Sequence, residues 1–245
     1  MIFIDLRSGI CGDMMLAALI DLGASFEKIR EDVLFIAQSV GMGLSFELED
    51  MPGCKRLLIE PFEHNLRVSA SELRGFVQKF FDEFSIDGEY RRIGTEAFEI
   101  LVEAETHAHK NLHFPSPIYR EPFLHESLDI LVDIVGASLA MKMLGLDLGG
   151  VFALGPLNLG GGSVEFHMRK VEIPVPAVSR IVKRYSIPSR RSNSNFELAT
   201  PTGVSILAAL RPIFVYELPS QKPKRIGFGC GRWDTNLPPF SIAEF

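Results

Sequence analysis

Glu126, Asp129 and Asp133 recur at three- and four-residue steps, with His125 next to the first of them. On an α-helix this spacing gathers the acids into one stripe, with the imidazole at its edge. Such a stripe is a donor set for a divalent cation, or a counter-charge for a substrate with a positive centre. The setting makes it notable. Residues 123–136 read FLHESLDILVDIVG, in which Leu128, Leu131, Val132 and Val135 keep a helical period while Ile130 and Ile134 fill the flanks. A helix apolar nearly all round is buried. Carboxylates on it need a cation or a donor network to compensate them. A helix N-terminus accounts for Glu126 well, for Asp129 poorly and for Asp133 not at all.

Other residue groups bear on the same chemistry. His107, His109 and His113 fall within seven residues, shortly before His125. Each one alone reads as a surface residue or a cation near a helix C-terminus, but imidazole is also a good ligand for nickel, zinc or iron. The segment with Pro115, Pro117 and Pro122 would let the cluster fold back over the acidic stripe. Anion-binding candidates lie elsewhere. Ser8-Gly9-Ile10-Cys11-Gly12-Asp13 is a glycine turn between a short apolar strand and an apolar helix, a geometry that offers backbone N–H groups to an anion. It equally reads as a tight turn with Asp13 capping the helix. Thr200-Pro201-Thr202-Gly203 forms a second helix start, with Thr200 as cap and Pro201 at the first helical position. Between His167 and Asn195, Arg169, Lys170, Arg180, Lys183, Arg184, Arg190 and Arg191 face Glu172 alone, which makes a basic surface or a solvated loop.

The elements that must position these groups follow from periodicity and punctuation. A strand over 1–6 leads into the helix that ends at Gly23, and a second amphipathic helix covers 26–40. Strands near 44–49 and 55–61, joined by Pro52-Gly53, read as a hairpin. Ser69 opens a helix to Phe81 with Glu72 at capping-box spacing, and Glu89–Lys110 is a long acidic helix. These two helices suggest a helical insertion near 66–112. After Val151 come short strands and glycine turns, then helices over 176–184 and 201–210. Gly227, Gly229 and Gly231 alternate, so one face of that strand lacks side chains and another element can lie close to it. The expected fold is α+β, a mixed sheet built from both ends of the chain and covered by helices.

Composition bounds the reading. With 245 residues and 47% hydrophobic content, the chain can bury a full core. A net charge of -6 argues against nucleic acid as a partner. The start lacks a signal-peptide pattern and no apolar run is long enough for a bilayer, so neither export nor a membrane is expected. Cys11, Cys54 and Cys230 are widely spaced with no CxxC pair, which fits a reducing cytoplasm and excludes a structural thiolate zinc site.

SGICGDMMLAALIDLG, HESLDILVDIVGA, IPVPA, ELATPTG and GFGCGRWD stand in this order from Asp5 to Asp234. In these five motifs the chain resembles the nickel-insertion (LarC) family. The resemblance implies a lyase-class metallochelatase that inserts nickel into pyridinium-3,5-bisthiocarboxylic acid mononucleotide to give the nickel-pincer nucleotide, in a reaction associated with CTP and magnesium or manganese. It implies Asp13, His125, Glu126 and Asp129 as reacting residues, and His107, His125, Glu126, Asp129, Asp133 and His167 as metal ligands. Ser8, Gly9, Gly12, Thr200, Thr202 and Gly203 are implied as the cradle for the mononucleotide. Phe123 stands where the family has a further histidine, the spacing from Glu126 to Asp129 is two residues shorter than usual, and Cys11 replaces a common serine. The family's C-terminal domain, to which CTP is assigned, falls outside this sequence. That leaves room for a separate chain carrying it as a partner, and for a homo-oligomer. Two other readings fit the same residues: a nickel-binding delivery subunit without catalysis, and a metal-dependent phosphohydrolase.

Overall fold

The computed structural model describes residues 1–62, 68–111, 123–124, 127–166 and 169–245. The chain runs through β1 (Ile2–Asp5), α1 (Gly12–Asp21), α2 (Phe26–Ser39), β2 (Leu44–Met51), β3 (Cys54–Pro61) and β4 (Val68–Ser69). It continues with α3 (Ala70–Glu83), α4 (Gly88–Asn111), β5 (Phe123–Leu124), α5 (Ser127–Leu144), β6 (Val151–Leu154) and β7 (Leu157–Asn158). The last elements are β8 (Ser163–Phe166), β9 (Arg169–Glu172), α6 (Pro176–Arg184), β10 (Ser189–Arg190), α7 (Pro201–Leu210), β11 (Ile213–Val215), β12 (Arg225–Cys230) and β13 (Phe240–Glu244).

The main sheet is mixed, with strand order β11-β6-β1-β13-β12-β3-β2 among the described residues. The fold is α+β, as the sequence reading expects, and both chain ends meet at its centre. β1 pairs in parallel with β6 and antiparallel with β13, with Ile2 opposite Val151 on one side and Glu244 on the other. Ile2, Ile4 and Ile242 point from this centre toward Met15 and Leu19 of α1. The hairpin of β2 and β3 turns through Pro52-Gly53, where Gly53 has φ +82°, and forms the far edge.

Helix α1 lies directly on the sheet because β12 is stripped of side chains on that face. A Cβ at Gly227 would overlap the carbonyl oxygen of Ala18, and one at Gly229 the carbonyl oxygen of Met14. Backbone therefore meets backbone, the close approach that alternate glycines permit. α5 packs on α1, with Leu16 against Gly136, and is buried from Ser127 to Met141 except at Asp129. α4 packs in turn on α5, α6 and α7. Its acidic outer face is matched by neighbouring helices: Arg74 of α3 grips Glu99 through two hydrogen bonds of 2.6 and 2.8 Å, and Arg180 and Arg184 of α6 both donate to Glu103 at 2.8 and 2.9 Å. The expected capping box is present, with Glu72 N–H donating to Ser69 Oγ and Ser69 N–H to the Glu72 carboxylate.

Cys54 and Cys230 form a disulfide across 176 residues, joining β3 to the end of β12. The wide spacing of the cysteines did not foretell this pairing. Cys11 is the free cysteine. Among the described residues no helix is long and apolar enough to cross a membrane.

Candidate functional site

The starts of α1 and α7 are locked side by side by a few backbone contacts. Ile10 N–H donates to the Leu198 carbonyl at 2.7 Å, and Thr200 N–H returns a bond to the Ile10 carbonyl at 3.1 Å. Gly9 has φ +96°, and a Cβ there would overlap the Leu198 carbonyl, so the turn needs glycine on both counts. A Cβ at Gly203 would sit 2.6 Å from the Ile10 carbonyl oxygen and 2.9 Å from the Cys11 Cα. The crossing thus depends on two residues without side chains, one from each motif.

Thr200 caps α7, its Oγ1 accepting from Gly203 N–H at 3.3 Å, with Pro201 at the first helical position. At α1 the cap differs from expectation. Cys11, with extended φ -128° and ψ 158°, is the N-cap residue and makes no side-chain capping bond. Asp13 lies inside the first turn, where its Oδ1 accepts from Met14 N–H at 2.8 Å. The reading of Asp13 as the cap is corrected on that geometry.

Asp129 and Asp133 of α5 reach the same place. Asp133 is buried against Gly12, where a Cβ would overlap its carboxylate. The first turn of a helix favours a negative charge, so α1 offsets part of the burial of Asp133. Ser8, Cys11, Gly12, Asp13, Asp129, Asp133, Glu197, Thr200 and Thr202 all line one cleft of about 810 Å³. That volume suits a ligand the size of a mononucleotide.

The cleft is acidic. Its described lining holds eight carboxylates, from Asp13, Glu60, Glu105, Asp129, Asp133, Glu165, Glu197 and Asp234, against two guanidiniums, from Arg56 and Arg232. Two groups in it have raised pKa values. Burial raises Asp13 to about 6, partly opposed by the N–H groups of Met14 and of Asp13 itself and by the charge of Arg232. Burial also pushes the Cys11 thiol well above its ordinary value, reinforced by the charges of Asp13, Glu197 and Asp133 and countered by a hydrogen bond with Thr200. Cys11 is therefore a thiol, not a thiolate.

The expected site residues divide into three groups. Ser8, Gly12, Asp13, Asp129, Asp133, Thr200 and Thr202 come together in the cleft, and Gly9 and Gly203 hold the crossing beneath it. His107 stands exposed on α4, whereas Leu101, Glu105 and Ala108 of the same helix line the cleft. His125, Glu126, His167 and His113 lie outside the described residues, as does the side chain of His109. Among the described residues, no three His, Cys, Asp or Glu side chains are already gathered at metal-binding spacing. Of the basic stretch, Lys170, Arg180, Lys183, Arg184, Arg190 and Arg191 are absent from the cleft lining.

The lining residues that sequence reasoning missed as site candidates include Cys11, Phe196, Glu197, Arg232 and Trp233. Glu197 and Arg232-Trp233 stand inside the quoted motifs ELATPTG and GFGCGRWD, which was the available signal. Phe196 had none.

The mixed sheet with helices stacked on it thus carries an acidic cleft at two adjoining helix N-termini. The chain belongs to the nickel insertion protein family, whose pattern matches residues 2–240. It is 27% identical over 245 residues to the pyridinium-3,5-bisthiocarboxylic acid mononucleotide nickel insertion protein of Staphylococcus saprophyticus, covering 97% of this chain and 57% of that one. To the protein of the same description from Lactiplantibacillus plantarum it is 28% identical over 254 residues, covering 96% and 58%. The chain therefore spans little more than half the length of these curated relatives. No solved structure matches it.

Proposed function

We propose that this chain holds nickel and a pyridinium bisthiocarboxylic acid mononucleotide in the cleft between α1, α5 and α7, for transfer of the metal to the substrate. The observation that carries the reading is that Asp13, Asp129 and Asp133 line one cavity beside two helix N-termini. Nickel is the cargo of this reaction, and carboxylates suit a cargo. Oxygen donors hold a borderline divalent ion less firmly than sulfur donors do, so thiocarboxylates can take the metal from them. Asp13, titrating near 6, is largely ionised at neutral pH and close enough to its midpoint to accept a proton released as the metal–substrate bonds form. The α1 and α7 N-termini supply the partial positive charge that a phosphate needs in an otherwise acidic cavity. On this reading the activity is that of a lyase-class metallochelatase. We assign the triphosphate of CTP, with its magnesium or manganese, no site in this cleft, because eight carboxylates oppose it and two guanidiniums favour it.

Calorimetry with nickel tests the reading. Asp133→Asn and Asp129→Asn should each weaken binding by about tenfold, the loss of roughly 1.4 kcal/mol, with an unchanged circular dichroism spectrum. Unaltered affinity in both variants would overturn it.

A further inference from the structure

The lining of the cleft carries two large aromatic rings that neither the core nor the chemistry above explains. Trp233 is the only tryptophan of the chain, and it is 61% exposed. Phe196 is exposed beside it. Their rings are nearly parallel, 19° apart with centroids 6.2 Å from each other, although the two residues come from distant segments of the chain. Both line the cleft. The Arg232 guanidinium lies 5.8 Å from the centre of the indole, and the Glu60 carboxylate is 3.7 Å from it. Most of the indole surface stays open even with these neighbours.

An exposed tryptophan in an acidic cavity is a recognition element for a flat cation. The indole face carries the negative end of the aromatic quadrupole, attracts a positive charge above it and offers area for stacking. The surrounding carboxylates add to the same preference. We infer that Phe196 and Trp233 form the platform on which the cationic pyridinium ring of the substrate stacks, with Arg232 beside it to meet an anionic group. The assignment rests on the function proposed above and adds to it the feature that selects the ring. A pyridinium is charged and aromatic; its dihydro form is neutral and not aromatic. The platform therefore discriminates between the two, which contacts to ribose or phosphate cannot do.

The test uses pyridinium-3-carboxamide mononucleotide and its 1,4-dihydro form, which differ only in the ring. By calorimetry the wild-type chain should bind the pyridinium form at least fivefold tighter than the dihydro form. Saturable quenching of Trp233 emission by the pyridinium form should give the same dissociation constant, whereas collision alone gives quenching that does not saturate. Trp233→Ala should weaken the pyridinium form about tenfold and abolish the preference, and Trp233→Phe should restore most of both. Circular dichroism confirms folding of each variant. Equal binding of the two forms, or full affinity in Trp233→Ala, would overturn the platform while leaving the proposed function standing. Absence of mononucleotide binding by the wild type would also overturn it. Nickel calorimetry on the same sample then shows whether the metal half of the proposed function survives.

Discussion

The acidic stripe of α5 and the basic run from Lys170 to Arg191 are both concentrations of one charge in the sequence, and the fold treats them oppositely. Asp129 and Asp133 enter a cavity, where Asp133 is 8% exposed and rests on the first turn of α1. Arg180 and Arg184 instead close on Glu103 across the junction of α6 and α4, with 32% and 50% of their side chains exposed. Charge density along the chain is equal evidence in both cases. What separates them is whether the backbone encloses the charge. A half-exposed pair between helices is screened by water and contributes little, whereas carboxylates held in a concave, desolvated site keep their field for whatever enters.

The largest effect expected from breaking this contrast comes from Gly12. Gly12→Ala pushes a methyl group into the Asp133 carboxylate, which is fixed by the buried helix behind it. It should lower stability by about 1–3 kcal/mol, the usual range for overpacking, and it should reduce nickel affinity more than Asp129→Asn does. Urea denaturation and calorimetry measure the two losses. A variant with wild-type stability would mean that the contact between α1 and α5 yields easily.

A smaller effect concerns Asp13 and pH. Burial raises this carboxyl from 3.8 to about 6, so between those values the folded chain binds more protons there than the unfolded chain. The contribution of Asp13 to stability is thus fullest below the lower value and is lost as pH rises through the upper one, by about 1–3 kcal/mol. Asp13→Asn should raise Tm at pH 7, and the difference from wild type should shrink steadily toward pH 4. Nickel affinity of the wild type should fall from pH 7 to pH 5, and that of the variant should be lower and flatter. A constant difference in Tm across the range would contradict the assignment.

The smallest effect belongs to the basic run. Arg180→Gln and Arg184→Gln should each change stability by less than about 1 kcal/mol and leave nickel and mononucleotide binding within error. A clear loss of mononucleotide affinity in either variant would place a phosphate contact on α6.

Local signals carried much of the fold. The capping box at Ser69 and Glu72, the Pro52-Gly53 hairpin, the Thr200-Pro201 start and the all-round apolar α5 each depend on residues a few positions apart, and each could be read before the fold was known. The cleft depends on contacts that are not local. Ile10 pairs with 198–200, and Cys54 bonds to Cys230, with no periodicity to announce either. The alternate glycines of β12 announced a close neighbour, but only the structure shows that the neighbour is α1. Asp13 was misplaced as a cap because Asp at a helix start is commonly one. Here residue 11 takes the extended conformation and moves Asp13 into the first turn. Trp233 stands in the motif GFGCGRWD, but its meaning comes from Phe196, brought beside it by the fold.

The most direct test of the central claim is to locate the metal. Crystals of this chain soaked with nickel, with anomalous differences collected at the nickel absorption edge, should show their strongest peak in the cleft, within ligand distance of Asp133 or Asp129 and facing the first turn of α1. Nickel found only at exposed histidines such as His107, with the cleft empty, would contradict the account.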